Sequence, residues 1–350
     1  MTQSLYLHIG TGKTGTTTIQ SFLSSNRECL VRDYSCLYPN THDGPERYGS
    51  GSCRNHVDFF KRADEGNIAS DIENIIRYSQ KRGLDKIVFS WEGLFDRPRF
   101  AKLCADAIFS NEKTTPVILL YIRRQDQWLE SAWKQWYMKD KKYRDFNHFI
   151  DTYHIDWRAN LDAWTSAFGR EHIMVQPYER AQLQDGLIQD FLAKLGIDYT
   201  SGRWNKQEEV DYNVGFDRDI LEILHLNKGF YQDVNDSRLT NMFARYLPSH
   251  FKKKAFESYS LLSPRMRHDI MEKHSPFNEY IAREFLGRKE GRLFFEPLPD
   301  IDEPWRPYEG ITIEKCAPIF TQMLYSMDVR FKSYESPFWR FINRIKREKG

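Results

Sequence analysis

The sequence predicts an α/β fold: a doubly wound parallel sheet flanked by helices and followed by a mostly helical C-terminal third. Short, mostly apolar runs lie at residues 5–9, 86–90 and 116–122, with helical apolar spacing between them. Parallel strands need such crossover helices, so this alternation favours a parallel sheet. The 350 residues are enough to bury a sizeable core. Ligands of this fold class bind at the carboxyl ends of the strands, where functional residues are therefore expected.

The first strand and the loop after it are the most informative stretch. Residues 10–18 read Gly-Thr-Gly-Lys-Thr-Gly-Thr-Thr-Thr, and Ile19, Phe22 and Leu23 follow at helical spacing. The glycines permit tight turns and close backbone approach. Backbone N–H groups, the dipole of the following helix and the charge of Lys13 all favour a bound phosphate. We therefore predict a phosphate loop of the P-loop type rather than a turn that only connects two elements.

The spacing of this loop bears on which phosphate it binds. A nucleoside triphosphatase loop, G-x-x-x-x-G-K-[ST], could end at residues 12–14, but its first glycine would fall on Leu7 inside the strand. Residues 13–17 instead resemble the 5′-phosphosulfate loop, K-[ST]-G-T-T, of sulfotransferases that use 3′-phosphoadenosine 5′-phosphosulfate (PAPS). This resemblance implies a catalytic role for Lys13 as well as donor binding. The implied donor-binding residues are Gly12, Lys13, Thr14, Gly15, Thr16, Thr17 and Thr18.

The elements that follow are predicted in chain order. A short strand at 36–39 and a polar loop at 40–55 precede a helix whose capping box is Ser70 and Glu73 and whose apolar stripe stops near Gly83. Further strands are predicted at 86–90, 116–122 and 172–177, and further helical segments at 100–110, 127–139, 146–168 and 186–195. Sequential strands joined by helices on this spacing indicate one doubly wound sheet.

A second phosphate motif follows the strand at 116–122. Arg123 ends that strand, and Ser131 lies about two turns into the next helix, so both side chains can point into one pocket. The pair resembles the sulfotransferase site for the 3′-phosphate, R-x₇-S, although Gln125 stands where that family often has proline. Arg124 is expected to be an ordinary surface or structural arginine.

A third similarity lies in the last third of the chain. Residues 286–292 read Leu-Gly-Arg-Lys-Glu-Gly-Arg and resemble the loop that closes over the nucleotide in the glycosaminoglycan branch of sulfotransferases. Gly291 and Arg292 match that loop, whereas Glu290 replaces its lysine. The other interpretation is a glycine-terminated helix whose last basic residues favour its dipole.

Two residues are candidates for the general base, because the family uses histidine in some branches and glutamate in others. Glu92 ends the strand at 86–90, the place from which small-molecule sulfotransferases supply their histidine, and it is the first choice. His56, which opens a helix after the polar loop, is the second choice. A purely structural polar role stays open for both.

The resemblance implies a PAPS-dependent sulfotransferase whose α/β core spans residues 1–200. Residues 201–350 would be a helical extension that completes the same domain and covers the active site. The implied reaction moves a sulfuryl group from PAPS to a hydroxyl or amine by in-line attack, without a metal, and leaves adenosine 3′,5′-bisphosphate. The acceptor would be a carbohydrate, as a glycan or glycolipid. Two alternatives stay open: a P-loop kinase that uses ATP and Mg²⁺, and a nucleotide-binding protein without catalytic activity.

Composition limits the cellular setting. The 51 basic and 49 acidic residues give a net charge of +2, which is no signal for nucleic-acid binding. The sequence has no apolar run near 18 residues and no apolar signal core, and its five cysteines lack C-x-x-C spacing, so a cytoplasmic protein without disulfides or structural zinc is expected. Near the C-terminus, apolar residues at helical spacing lie among basic ones, so peripheral contact with the inner membrane surface is an alternative to a packed final helix. The apolar positions of this segment are Phe338, Phe341, Ile342 and Ile345.

Overall fold

The computed structural model describes residues 2–42, 48–49, 53–62, 68–183, 185–205, 215–248, 251–253 and 260–334. The chain divides into two compact units, and each unit is assembled from three separate segments of the chain. Unit one comprises Met1–Trp128, His154–Val210 and Met266–Ile301, and unit two comprises Leu129–Tyr153, Asp211–Arg265 and Asp302–Gly350. Unit one takes in residues 266–301 besides most of the residues before 200. The division at residue 200 stays a prediction.

Unit one is built on a five-stranded parallel sheet. Its strands are β1 Gln3–Gly10, β2 Cys36–Leu37, β3 Lys86–Ser90, β4 Thr114–Ile122 and β5 Ile173–Pro177. Their order is β2-β3-β1-β4-β5, so the chain leaves the central strand β1 toward one edge and later returns to fill the other side. The carboxyl end of β1 is therefore the switch point of the sheet, where ligands of such folds bind.

The helices cover both faces of this sheet and form most of unit two. In chain order they are α1 Thr16–Ser25, α2 Arg27–Tyr34, α3 Val57–Arg62, α4 Ile68–Lys81, α5 Arg99–Phe109, α6 Gln125–Gln135, α7 Phe146–Thr152, α8 Trp157–Phe168, α9 Leu187–Lys194, α10 Arg218–Leu226, α11 Arg238–Tyr246, α12 Pro264–Lys273, α13 Ser275–Glu284 and α14 Ile313–Tyr334. Residues 118–122 of β4 are fully buried, as expected for a strand covered on both faces. Within the described ranges, no helix is both long and apolar enough to cross a membrane.

Unit two is a group of helices with a two-stranded ribbon, β6 Gly215–Phe216 paired with β7 Lys252–Lys253. Its core is partly aromatic, because the rings of Trp133 and Phe149 lie 5.5 Å apart and His225 packs on Trp133 at 5.2 Å. The two ring nitrogens of His225 bond the carbonyl oxygens of Met138 at 2.7 Å and Arg144 at 2.8 Å. This histidine fixes the segment between α6 and α7.

The predicted α/β class and parallel sheet are confirmed. The strand at 86–90 has the predicted bounds, and those at 116–122 and 172–177 begin within two residues of their observed starts. The capping box at Ser70 and Glu73 is wrong: both lie inside α4, because Ile68 is buried and extends the apolar stripe of that helix toward its N-terminus. The predicted basic helix near residue 340 lies outside the described residues, as do residues 43–47 and 50–52 of the polar loop.

Candidate functional site

The loop between β1 and α1 turns sharply against the chain that leaves β3. Gly10 has a φ of 107°, and a Cβ at this position would lie 2.6 Å from the carbonyl oxygen of Glu92, a contact that only glycine avoids. Gly15 caps α1 at a φ of 75°, and Lys13 has a φ of 68° although it is not glycine. Such left-handed conformations are typical of ligand-binding turns. The glycines of this loop therefore allow the tight turn into α1 that the sequence predicts.

Hydrogen bonds hold this loop against β4 and α6. The Thr11 N–H donates to Tyr121 O at 2.6 Å, and the indole N–H of Trp128 donates to Gly12 O at 2.9 Å. The Thr14 hydroxyl donates to Thr11 O at 2.5 Å. The first N–H groups of any helix lack partners within the helix, and Gly15 provides no side chain that could cap those of α1. The loop thus presents the N-terminus of α1 in a fixed arrangement that suits an anion.

Two cations and one carboxylate act on each other at this edge of the sheet. Arg123, which follows β4, donates from Nη1 to Lys13 O and from Nε to Gln127 Oε1, each at 3.3 Å. Burial, and then the charge of Arg123, lower the pKa of Lys13 from 10.5 to about 8, while the charge of Glu92 opposes this change. The structure therefore brings together Lys13, Arg123 and Glu92, which lie far apart in the sequence.

Glu92 is held at the mouth of the loop by the backbone around it. Trp91 N donates to His8 O at 3.0 Å, and Phe95 N donates to Ile9 O at 3.1 Å, so residues 91–95 run across the end of β1. The Glu92 side chain is half-buried, and its Oε2 accepts a hydrogen bond from Gln20 Nε2 at 2.8 Å. The Glu92 carboxylate thus lies at the carboxyl ends of the strands, next to helix α1.

His56 occupies a different environment from Glu92. Its ring is fully buried, its Nδ1 accepts the Ser90 N–H at 3.0 Å, and its Nε2 bonds Pro39 O at 2.9 Å. Since a carbonyl oxygen can only accept, Nε2 carries the proton and the neutral ring has no free lone pair. Burial is the main cause that lowers the pKa of His56 to about 4. The ring joins residues 39 and 90, which is a structural task.

Ser131 is half-buried and lies in α6, six residues after that helix begins. It belongs to unit two, whereas Arg123 belongs to unit one. The adjacent Arg124 is buried and forms a two-pronged ion pair with Asp126, at 2.8 Å and 3.0 Å, and Arg267 donates to the same carboxylate at 2.6 Å. Arg124 is thus a structural arginine, one of the two roles expected from the sequence.

The late loop is anchored at the same edge of the sheet as the loop between β1 and α1. Glu179, just after β5, accepts hydrogen bonds from Phe295 N at 2.7 Å and Glu296 N at 2.6 Å. Gly291 is buried at a φ of 72°, while Arg292 is exposed and donates to Phe295 O at 2.7 Å. We call residues 286–297 the strap. It runs past the carboxyl ends of β4 and β5, where Arg124 also donates to carbonyl oxygens of the strap.

Two residues of this region were not singled out from the sequence. Gln127 bonds Arg123 at 3.3 Å and also donates to Glu296 Oε2 at 3.2 Å. Gln20 bonds Glu92 and belongs to the buried stripe of α1, which it shares with Ile19 and Leu23. A long amide at a stripe position that helical spacing reserves for apolar residues was a readable signal for Gln20. No comparable pattern marked Gln127.

Comparison with known proteins gives few matches. No family model matches this chain. An uncharacterized protein from Archaeoglobus fulgidus is 40% identical over 92 residues, which make up 26% of this chain and 25% of that protein. The chain thus spans about a quarter of the curated relative that it matches. The crystal structure of a sulfotransferase from Alicyclobacillus acidocaldarius aligns with a TM-score of 0.32 and 17% sequence identity, over 65% of this chain and 93% of that chain.

Proposed function

We propose that this chain is a PAPS-dependent sulfotransferase that transfers a sulfuryl group to a hydroxyl or amine, most favourably a carbohydrate hydroxyl of a glycan or glycolipid. The observation that carries the proposal is the cation pair at the switch point of the sheet. Lys13 and Arg123 are held close enough for one to lower the pKa of the other, beside the N-terminus of α1. A bound anion relieves that repulsion, and a donor with phosphates at both its 3′ and 5′ positions offers one to each cation.

The residues of the loop have distinct tasks in this proposal. The N–H groups at Gly15, Thr16 and Thr17 and the charge of Lys13 hold the 5′-phosphosulfate, with Gly12, Thr14 and Thr18 shaping the turn. The acceptor oxygen attacks sulfur in line, the bond from sulfur to the bridging oxygen breaks, and its electron pair stays on the departing phosphate. Lys13 stabilises the charge that develops there, which is the largest catalytic contribution expected of such a site.

Glu92 is the proposed general base. The acceptor's proton moves to the Glu92 carboxylate as its oxygen bonds to sulfur, so charge does not build on the acceptor. His56 has no lone pair free for that proton, because both of its ring nitrogens are bonded to backbone groups. Glu92 remains half-exposed at the strand ends. This difference supports Glu92 as the base and a structural role for His56.

The remaining residues would bind the rest of the donor. Arg123 and Ser131 would hold the 3′-phosphate, and Gly291 and Arg292 of the strap would close on the nucleotide. The described residues hold no group of three His, Cys, Asp or Glu side chains that could bind a metal ion. In this proposal the enzyme is cytoplasmic, and residues 201–350 form the helical extension that covers its active site.

Calorimetric titration provides the first test. We expect adenosine 3′,5′-bisphosphate to bind and ATP with Mg²⁺ to bind much more weakly. In a separate transfer assay, ³⁵S from labelled PAPS should appear on an acceptor from a panel of sugars and glycolipids. Lys13→Ala should abolish transfer, whereas Lys102→Ala, which removes an exposed lysine from α5, should not. Tighter binding of ATP with Mg²⁺ would favour a kinase. Bisphosphate binding without transfer to any acceptor would favour a non-catalytic nucleotide-binding protein.

A further inference from the structure

A buried polar side chain connects helix α1 to the carboxylate at the mouth of the loop. Gln20 is 2% exposed, and its amide nitrogen donates to Glu92 Oε2 at 2.8 Å and to Ser90 Oγ at 3.2 Å. Burying an amide is unfavourable unless its hydrogen bonds are made, so these two bonds are what the position requires. The same helix begins at Thr16, directly after the phosphate loop.

The orientation of the Gln20 amide can be assigned. Ser90 Oγ accepts from Gln20 and also lies 2.8 Å from His8 Nδ1. Burial lowers the pKa of His8 to about 3, so its ring stays neutral. The reverse orientation of Gln20 would turn an amide oxygen toward the carboxylate. The network thus fixes the amide with its donor side on Glu92.

We infer that Gln20 is a positioning residue that holds one oxygen of the Glu92 carboxylate, keeps that carboxylate from pairing with Lys13, and leaves its other oxygen to accept a proton. The inference rests on the proposed function only for the last of these three effects. A neutral donor suits the task, because it orients the carboxylate without neutralising its charge. Among the hydrogen bonds of the described residues, the Glu92 side chain is bonded by Gln20 alone.

The first measurement needs no substrate. Competitive acetylation of Lys13 at a series of pH values, read by mass spectrometry of its tryptic peptide, gives the apparent pKa of its ammonium. We expect Gln20→Met to raise that pKa above its wild-type value, because the released carboxylate moves onto the ammonium group. In a Glu92→Gln background, Gln20→Met should have no further effect. An unchanged or lower pKa in Gln20→Met, or a rise that persists in the Glu92→Gln background, would overturn the inference.

A matched control separates positioning from packing. Gln3 lies at the amino end of β1, is also 2% exposed, and makes two buried hydrogen bonds, to Ser79 Oγ at 2.7 Å and Leu84 O at 2.8 Å. Gln3→Met should lower the melting temperature and leave the labelling of Lys13 unchanged. Should Gln20→Met fail to fold, ¹⁵N NMR of the Gln20 side-chain amide decides. Its signal should move in Glu92→Gln and not in Lys102→Ala, and an unmoved signal contradicts the bond.

The kinetic measurement tests the role in transfer. With PAPS and an acceptor, Gln20→Met should lower kcat by about 10- to 100-fold, the cost of a misplaced catalytic group, with unchanged affinity for adenosine 3′,5′-bisphosphate. The loss should vanish when Glu92 is already glutamine. Equal losses in both backgrounds would assign Gln20 a structural role. Absence of transfer by the wild-type protein would defeat the proposed function alone, since the labelling result stands without it.

Discussion

Lys13 is a lysine whose charge can be titrated in an ordinary laboratory range. Its pKa lies near 8 because of burial and the charge of Arg123. A phosphate binds the protonated form, so we expect the affinity for adenosine 3′,5′-bisphosphate to be constant below pH 8 and to fall above it by up to about tenfold per pH unit, the limit for one linked proton. Titration calorimetry from pH 7 to 9.5 measures this. In Lys13→Arg the decline should disappear, since arginine stays charged throughout; a decline that persists would point to another group.

Glu92 and His56 provide a contrast between a proposed base and a structural histidine. Glu92→Gln should lower kcat by at least about 10²-fold, the usual contribution of one proton acceptor, with little change in donor affinity. His56→Ala should lower the melting temperature, because it leaves the buried Ser90 N–H and Pro39 O without their partner. Steady-state kinetics with thermal unfolding separates the two. A His56→Ala protein of normal stability that has lost turnover would reverse the assignment.

Arg123 and Arg124 are neighbours with opposite expected phenotypes. Arg123→Ala should lower the affinity for adenosine 3′,5′-bisphosphate by roughly 10- to 150-fold, the contribution expected of hydrogen bonds to a charged group. The affinity for adenosine 5′-phosphosulfate should fall much less. Ser131→Ala should show the same selectivity on a smaller scale. Arg124→Ala should instead destabilise the fold by roughly 3–5 kcal/mol, because the buried Asp126 loses a partner. If Arg123→Ala lowers the affinity for both ligands equally, the 3′-phosphate binds elsewhere.

The sequence predicted which residues would lie at this edge but not how they would be oriented. Lys13, Glu92 and Arg123 could be named because each follows an apolar strand, and strand ends of a parallel sheet meet. That His56 would be fully buried could not be read from a polar loop, since the burial comes from its contacts with β3. Gln20 was overlooked because its partner is 72 residues away in the chain.

At the scale of elements, one buried carboxylate holds two backbone N–H groups of the strap. Glu179 accepts the N–H groups of Phe295 and Glu296, and also a hydrogen bond from Gln182 Nε2 at 2.5 Å. Glu179→Ala should leave those N–H groups without acceptors, and their amide hydrogens should exchange faster than in the wild type. Hydrogen exchange with mass spectrometry measures this. The first turn of α1 should keep its wild-type exchange, and faster exchange there as well would mean general destabilisation instead.

The elements were predicted best where burial is continuous. The buried residues of β4 gave an unambiguous apolar run, whereas the start of α4 was misplaced because a polar pair inside a helix imitated a cap. A helix cap is stabilised by only a few hydrogen bonds. Burial of an apolar stripe that continues beyond a possible cap therefore determines where the helix begins. Helix α6 begins two residues earlier than predicted, at Gln125, where the family's proline is absent.

At the scale of the whole molecule, the interleaving of two units was not readable from the sequence. Residues 128, 153 and 266 each lie within or beside a helix, so no linker-like stretch of sequence marks the boundaries of the two units. Only pairings such as Asp126 with Arg267 reveal which distant segments belong together. Such pairings depend on three-dimensional packing, which hydrophobic periodicity does not encode.

The C-terminal segment remains a prediction at this scale, and deletion of residues 337–350 tests it. If its apolar stripe packs on the protein, as we expect, the deletion lowers the melting temperature and the intact protein ignores anionic liposomes at low salt. If the segment anchors the protein to a membrane surface, melting is unchanged and liposome binding is lost. Cosedimentation at low ionic strength, where the attraction is strongest, decides between them.

The strap also imposes an order of events during synthesis. All five strands have been translated by Pro177, yet Glu179 must wait 117 residues for the N–H of Glu296. At roughly 5–20 residues per second, that wait lasts about 6 to 24 s. Throughout that wait, Glu179 lacks the two backbone N–H groups of residues 295 and 296 that bond it in the folded protein. Water must solvate that carboxylate in the emerging chain, so the carboxyl end of β5 acquires its final environment only after Glu296 has been synthesised.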